Sequence, residues 1–193
     1  MNENPINIIG SKIKTLRESK DISLADLAER SGLDIGFCRS LEENIELPTI
    51  GDLIKISRAL GIRLGMLLDD YQDEGPVVHR ADNRKWEKVL RSNGNENSGI
   101  AYYSLSSRKG NRHMETYSLE IEPSVIGEKH FSNHEGEEFL YVLSGEVELS
   151  YGKETYILKQ GDSIYYDSIV PHHISSASQS ETARLLAVIY TPA

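Results

Sequence analysis

The spacing of apolar residues changes character part-way along the chain. In the N-terminal part they recur every three or four positions, as in Ile9, Ile13 and Leu16, which is the stripe of an amphipathic helix; Arg17 lies off that stripe. Beyond about residue 71, apolar and polar residues alternate, as in the segment 146–151, which is typical of a half-buried strand. The pattern predicts a helical N-terminal part and a β-rich C-terminal part.

Capping residues divide the helical part into five short helices. Ser23, with an acidic residue three positions on, begins the second helix as an acidic variant of the capping box. Asp34 is the expected cap of the third helix, over about 35–43, and Thr49 that of the fourth. Gly32 lies in the tight turn between the second and third helices. This arrangement predicts a helix-turn-helix unit.

Turn sequences such as Ser144-Gly145 and Gln160-Gly161 separate short strands in the β-rich part, which predicts an antiparallel barrel or sandwich. The polar run around Gly75-Pro76 is interpreted as a linker over residues 71–80. We therefore expect a multidomain α + β protein with a helical domain over residues 1–70 and a β domain over residues 81–193.

Composition narrows the class of protein. The chain has 193 residues, 38% hydrophobic and 26% charged, as in ordinary globular proteins. No apolar run approaches the ~18 residues of a membrane span, and residues 1–5 lack the features of a signal peptide. The single cysteine, Cys38, excludes an internal disulfide and a cysteine-rich zinc site, and we expect it to be buried. These features favour a cytoplasmic protein without a membrane partner.

Five motifs follow one another in the helical part: Ile9-Gly10-x-Lys12-Ile13-x-x-Leu16-Arg17, the run from Ile22 to Ala28, Ser31-Gly32-Leu33, Leu41-Glu42, and the run from Pro48 to Gly61. Their order resembles the DNA-binding domain of the XRE (lambda-repressor-like) family. The resemblance implies that the third helix enters the major groove of double-stranded DNA and that the protein binds an operator as a homodimer. The residues that it places at the DNA are Ser23, Asp34, Ile35, Gly36, Arg39, Ser40 and Thr49.

The side chains at these positions offer limited base readout. Arg39 can hydrogen-bond guanine and Ser40 can contact a base or a phosphate, whereas Ile35 offers only an apolar contact to a thymine methyl group and Gly36 none. The net charge of −9 argues against a bulk nucleic-acid binder, although a small module needs only a few cations on one face. A helical module that has lost DNA binding and only packs or dimerises is the alternative.

Two motifs of the β-rich part carry a second resemblance. His134-x3-Glu138-x6-Gly145 and the run from Gly161-Asp162 to Pro171-His172 resemble the signature motifs of the cupin family, whose fold is a double-stranded β-helix barrel. His134, Glu138 and His172 fall on the metal-ligand positions of those motifs, while Ser132 stands where the family often has a further histidine. Two imidazoles and one carboxylate suit non-haem iron, and zinc, nickel or manganese are also compatible cofactors.

The strand period gives the surroundings of these residues. If Glu138 faces inward, Leu140 and Val142 do too, and Ile174 shares the face of His172. One of the two tyrosines at 102 and 103 also points inward, and Tyr103 is the candidate. An apolar interior with a few convergent polar groups is typical of a small-molecule pocket. The alternative is that His134 and Glu138 only hydrogen-bond each other, with no metal.

Taken together, the two resemblances imply a DNA-binding transcriptional regulator. Its helical domain would bind an operator as a dimer, and its cupin barrel would sense a small-molecule effector or a metal ion. The alternative is an enzyme, because the same two-part architecture and the three ligand positions resemble hydroxypropylphosphonate epoxidase, a mononuclear non-haem iron oxygenase. Leu105 departs from the tyrosine expected there in that enzyme. A dimerisation scaffold without either activity is a third interpretation.

Overall fold

The computed structural model describes residues 6–68, 75–81, 99–109, 112–123, 129 and 131–192. Its helices all precede its strands. The helices are α1 (Ile6–Glu18), α2 (Leu24–Ser31), α3 (Ile35–Glu42), α4 (Ile50–Ala59) and α5 (Leu64–Leu68). None of the described helices is long and apolar enough to cross a membrane.

The predicted caps begin the helices as expected. Ser23 and Thr49 each form a capping box, with Asp26 and Asp52 respectively, and the carboxylate of Asp34 accepts hydrogen bonds from the first backbone amides of α3. Gly32, in the left-handed conformation at φ 67°, ends α2 and makes the tight turn into α3. The helix-turn-helix geometry is therefore specified by local signals.

The helices share one apolar core, to which α4 contributes most. Leu53, Ile54 and Ile56 of α4 are buried against Leu27 of α2 and Leu41 of α3, among other residues. Cys38 is buried, as expected, and burial raises the pKa of its thiol. These contacts make α4 an integral part of the helical domain.

The β-rich part forms two antiparallel sheets, which is the arrangement expected of a cupin barrel. One sheet has the order β1-β2-β8-β3-β6 and the other the order β5-β4-β7. The strands are β1 (Ile100–Ser104), β2 (Met114–Ile121), β3 (Glu137–Ser144), β4 (Glu146–Tyr151), β5 (Glu154–Lys159), β6 (Ser163–Asp167), β7 (His172–Ser176) and β8 (Ala183–Tyr190).

Apolar side chains of the strands belong to the same cluster of buried residues as those of the helices. Leu140 and Val142 of β3 and Val147 and Leu149 of β4 have no exposed surface. Gly145, in the left-handed conformation at φ 75°, connects β3 to β4, and a Cβ there would come within 2.9 Å of the Ala183 Cα. The domain limits at residues 70 and 81 stay predictions, because residues 69–74 and 82–98 lie outside the described part of the chain.

Candidate functional site

His134, Glu138 and His172 converge at one end of the β domain. His134 lies in the segment that leads into β3, Glu138 is the second residue of β3, and His172 is the first of β7. A pair of backbone hydrogen bonds between Ser132 and His172, at 2.8 and 2.9 Å, fixes the segment beside β7. Backbone pairing therefore brings together three side chains from distant parts of the sequence.

The three side chains are buried and in direct contact. Their exposed fractions are 4% for His134, 5% for Glu138 and 5% for His172. Nε2 of His134 lies 2.8 Å and Nε2 of His172 3.3 Å from the same carboxylate oxygen, Oε1 of Glu138. The two imidazole rings lie edge to face, with centroids 5.5 Å apart. We refer to these three residues as the His-Glu-His cluster.

Backbone carbonyls set the tautomer of both rings. Nδ1 of His134 lies 3.1 Å from the Glu135 carbonyl oxygen, and Nδ1 of His172 lies 2.9 Å from that of Val170. A carbonyl oxygen only accepts, so each Nδ1 carries a proton and donates it. In the neutral ring, Nε2 then presents a lone pair to a carboxylate oxygen, which is also an acceptor. A cation, either a proton or a metal ion, is required between these atoms.

Two hydroxyl groups complete the surroundings of the carboxylate. Tyr166 donates to Oε2 of Glu138 at 2.8 Å, and Ser168 donates to Oε1 at 3.2 Å. Glu138 and Tyr166 are direct cross-strand partners of β3 and β6, which explains the alignment. The sequence analysis placed neither Tyr166 nor Ser168 at the cluster. Knowledge of the pairing register between β6 and β3 would have identified Tyr166 as the neighbour of Glu138.

The cluster stabilises a charged carboxylate. Burial alone would raise the pKa of Glu138, but hydrogen bonds from His134 and His172 outweigh it and hold that pKa well below its usual range. Burial would lower the pKa of His172, but the hydrogen bond to Glu138 raises it overall. Burial and the nearby Glu138 charge raise the pKa of Tyr166, which stays a hydrogen-bond donor.

The predicted DNA contacts divide into two groups. Ile35, Gly36 and Arg39 are exposed on α3, with Ser40 half-buried beside them. In contrast, the side-chain oxygens of Ser23, Asp34 and Thr49 are already engaged as helix caps. Arg39 is therefore the one cation among the predicted contacts that α3 presents to solvent.

Comparison with known proteins identifies both parts of the chain. The Helix-turn-helix family model matches residues 13–67, and the Cupin domain model matches residues 117–189. The HTH-type transcriptional regulator SinR of Bacillus subtilis (strain 168) is 35% identical over 85 residues, covering 44% of this chain and 75% of SinR. This chain belongs to the helix-turn-helix transcriptional regulators.

The regulator is also similar to two proteins over most of its length. It is 27% identical over 177 residues to the HTH-type transcriptional regulator PuuR of Escherichia coli (strain K12), covering 88% of each chain. It is 28% identical over 149 residues to (S)-2-hydroxypropylphosphonic acid epoxidase of Streptomyces wedmorensis, covering 72% of this chain and 73% of the enzyme. The fold class and the regulator function expected from the sequence are confirmed.

The His-Glu-His cluster of the regulator fits a divalent metal ion. Its three ligand atoms all lie within 4.8 Å of one another. Two ligand atoms at ~2.1 Å from an ion and at right angles are ~3.0 Å apart, close to the 2.8 and 3.3 Å observed here. The Nδ1 hydrogen bonds to carbonyls are the usual support of metal-binding histidines. The donor set does not distinguish iron, zinc, nickel and manganese.

The predicted pocket residues of the regulator have different positions. Leu140 and Val142 are fully buried in the barrel core, and Ile174 is half-buried against it. The prediction that Tyr103 faces inward is wrong: its hydroxyl donates to Glu120 on the outer face of β2. Tyr102 faces inward instead, with its ring edge-to-face on Tyr117 at 5.8 Å. The register of β1 against β2 determines which tyrosine is inside.

Proposed function

We propose that this regulator binds an operator as a homodimer through α3, and that a divalent metal ion at the His-Glu-His cluster controls its affinity for DNA. The observation that carries the proposal is the convergence of two buried Nε2 atoms on one carboxylate oxygen, with both Nδ1 atoms tied to backbone carbonyls. A buried charged cluster of this kind contributes little to the stability of a barrel, so stability alone does not account for it.

The exposed surface of α3 supports the DNA-binding part. Arg39 can reach the O6 and N7 atoms of guanine, Ser40 can contact a base or phosphate, and Ile35, 45% exposed, can pack on a thymine methyl group. The amides at the start of α3 are bonded to Asp34, so contacts to phosphate must come from other groups. Recognition by α3 accordingly depends on few side chains.

A bound metal ion would be held by His134, Glu138 and His172, and it would act as a Lewis acid with open positions for an oxygen ligand. A small-molecule effector bearing a carboxylate or similar anion would then bind at the open positions. Tyr166 and Ser168 would hold the Glu138 carboxylate in place through their hydroxyl groups. Tyr102 would contribute an apolar wall on the side of β1.

Selection of DNA by the full-length protein tests this function. Duplexes are selected from a random library by the metal-loaded and the metal-free protein, and their affinities are measured by fluorescence anisotropy at fixed salt concentration. We expect two half-sites centred about 34–36 Å apart and a tenfold or larger difference in affinity between the two protein states. Failure to enrich any sequence in either state would contradict the proposal.

A second candidate function is a mononuclear iron oxygenase. The three ligand residues of the cluster and the 28% identity to the Streptomyces wedmorensis epoxidase favour it. The test is oxygen consumption by the Fe(II)-loaded protein with 2-hydroxypropylphosphonic acid and a reductant. Oxygen consumption by the wild type that is lost in Glu138→Ala would establish that the protein is an iron oxygenase. No consumption above the level of the variant, together with sequence-specific DNA binding, would exclude it.

A further inference from the structure

Helix α4 of the DNA-binding domain lies directly on the segment that carries His134. We call Ser132–Glu135 the ligand segment. A Cβ at Gly51 would overlap Oγ of Ser132, lie 3.3 Å from the Ser132 Cβ and come within 3.5 Å of Cδ2 of His134. Gly51 is buried, and its φ is not in the left-handed region, so the backbone there does not require glycine. It is the close approach of the ligand segment that requires a glycine at position 51.

Polar contacts extend this interface along α4. One turn after Gly51, Nζ of Lys55 donates to Oδ1 of Asn133 at 3.1 Å. One turn further, Arg58 forms an ion pair with Glu135. Residues 51, 55 and 58 share one face of the helix, since i, i+4 and i+7 positions align. Three residues of α4, spaced over about two turns, thus contact the ligand segment in order.

The other side of the ligand segment is fixed to the cluster. The Ser132 backbone is paired with His172, and the backbone amide of His134 donates to the Ser168 carbonyl at 3.0 Å. His134 itself contacts Glu138 through Nε2. The four-residue segment therefore contains His134, contacts His172 and Glu138 on one side, and contacts α4 on the other.

We propose that the ligand segment couples the cluster to the DNA-binding domain, so that metal binding and operator binding change each other's affinity through the face of α4 at Gly51, Lys55 and Arg58. This inference rests on the proposed function, because it requires that the cluster bind metal. Ordering of the segment by a ligand on His134 would favour one docking of α4, whose buried residues are packed into the helical core. Linkage then makes the effect reciprocal.

Amide hydrogen exchange of the full-length chain tests the coupling without an operator. Fe²⁺, Zn²⁺, Ni²⁺ and Mn²⁺ are first titrated by calorimetry, and exchange is followed with the tightest-binding ion and without it. We expect the ion to slow exchange in both residues 131–138 and residues 50–59 of the wild type. Slowing in residues 131–138 alone would overturn the coupling and leave the metal site standing. No heat and no slowing anywhere would overturn the proposed metal site, and the coupling with it.

Variants of the α4 face isolate the route. Gly51→Leu inserts a side chain between α4 and the ligand segment, and we expect it to abolish the slowing in residues 50–59 at an ion concentration that saturates the cluster of the variant. Ala25→Leu, which adds the same side chain to the exposed face of α2, is the matched control. Preserved slowing of residues 50–59 in Gly51→Leu would contradict the proposed route.

A milder pair of variants covers the case in which Gly51→Leu disturbs folding. Arg58→Glu breaks the ion pair with Glu135, and the double variant Arg58→Glu with Glu135→Arg restores it with reversed charges. With the duplex selected as described above, we expect metal to change the DNA affinity of the wild type by about 5- to 150-fold. The single variant should reduce this factor and the double variant should recover it. If metal changes the DNA affinity of the wild type, the single variant and the double variant by the same factor, the coupling through this face is overturned.

Discussion

Nε2 of His134 lies 2.8 Å from Oε1 of Glu138, while the opposite ring nitrogen of His134 faces the backbone carbonyl of Glu135. The backbone carbonyl thus takes up the Nδ1 proton, so a cation, either a second proton or a metal ion, must lie between Nε2 and the carboxylate. A protonated imidazole donates from both ring nitrogens, and a metal ion would take the place of the Nε2 proton. The arrangement found here suits a site that accepts a cation.

Tyr166 supports the cluster through the Glu138 carboxylate. Tyr166→Phe removes the hydroxyl that donates to Oε2 of Glu138 and is expected to weaken metal binding about 10- to 100-fold. Tyr165→Phe is the matched control, because Tyr165 is exposed and its hydroxyl donates to Glu137 rather than to the cluster. Calorimetric titration of both variants with the same ion measures the effect. Equal affinities of the two variants would show that Tyr166 does not position Glu138 for a metal.

Arg39 carries the base readout that α3 can provide. Arg39→Ala is expected to cost about 1–3 kcal/mol of binding free energy on a duplex with guanine at the contacted position, and less on a duplex without it. Anisotropy titrations on both duplexes measure the difference. Arg184→Ala, in an exposed cation of β8, serves as the control. A uniform loss on both duplexes would instead indicate that Arg39 contacts phosphate.

Thr49 is expected to act as a helix cap rather than as a DNA contact. Its hydroxyl pairs with Asp52 in the capping box of α4, so Thr49→Ala should lower the stability of the helical domain by about 1 kcal/mol. Thr49→Ser keeps the cap oxygen and should restore most of that stability. Thermal unfolding followed by circular dichroism separates the two variants. A loss of DNA affinity in Thr49→Ala at a temperature where it is fully folded would contradict this role.

A buried ion pair between α1 and α3 stabilises the helical domain. Nε and Nη2 of Arg17 bind the two carboxylate oxygens of Glu42 at 2.6 and 2.9 Å, and both side chains are largely buried. Glu42→Ala leaves the Arg17 charge without this partner and should destabilise the domain by about 3–5 kcal/mol. Arg30→Ala on the exposed face of α2 should cost less than about 0.5 kcal/mol. Similar denaturation midpoints for the two variants would contradict this assignment.

Local signals predicted the helical domain well. Ser23, Asp34 and Thr49 cap the helices that they were expected to begin, because a cap depends only on the next three residues. The ion pair of Arg17 was not predicted. Its position off the apolar stripe of α1 suggested a solvent-exposed residue. In the structure it is paired with Glu42, which lies 25 residues further along the chain. Pairing over that distance depends on how α1 packs on α3.

The cluster was predicted from motifs, but its surroundings were not. His134, Glu138 and His172 occupy recognisable spacings, while Tyr166 reaches Glu138 only because β6 pairs with β3 in one particular register. The contact of Gly51 with the ligand segment joins two domains. Nothing in either domain's own sequence specifies that contact, so it required the tertiary structure.

The metal content of the purified protein tests the central claim most directly. Untagged wild type, His134→Ala and His173→Ala are purified without chelator and measured by elemental analysis. His173 is the control, because it is the sequence neighbour of a cluster residue and its ring lies against Phe131. The account predicts about one metal ion per chain in the wild type and in His173→Ala, and none in His134→Ala. A wild type that holds no metal after incubation with excess ion, or a His134→Ala variant that holds as much as the wild type, would contradict it.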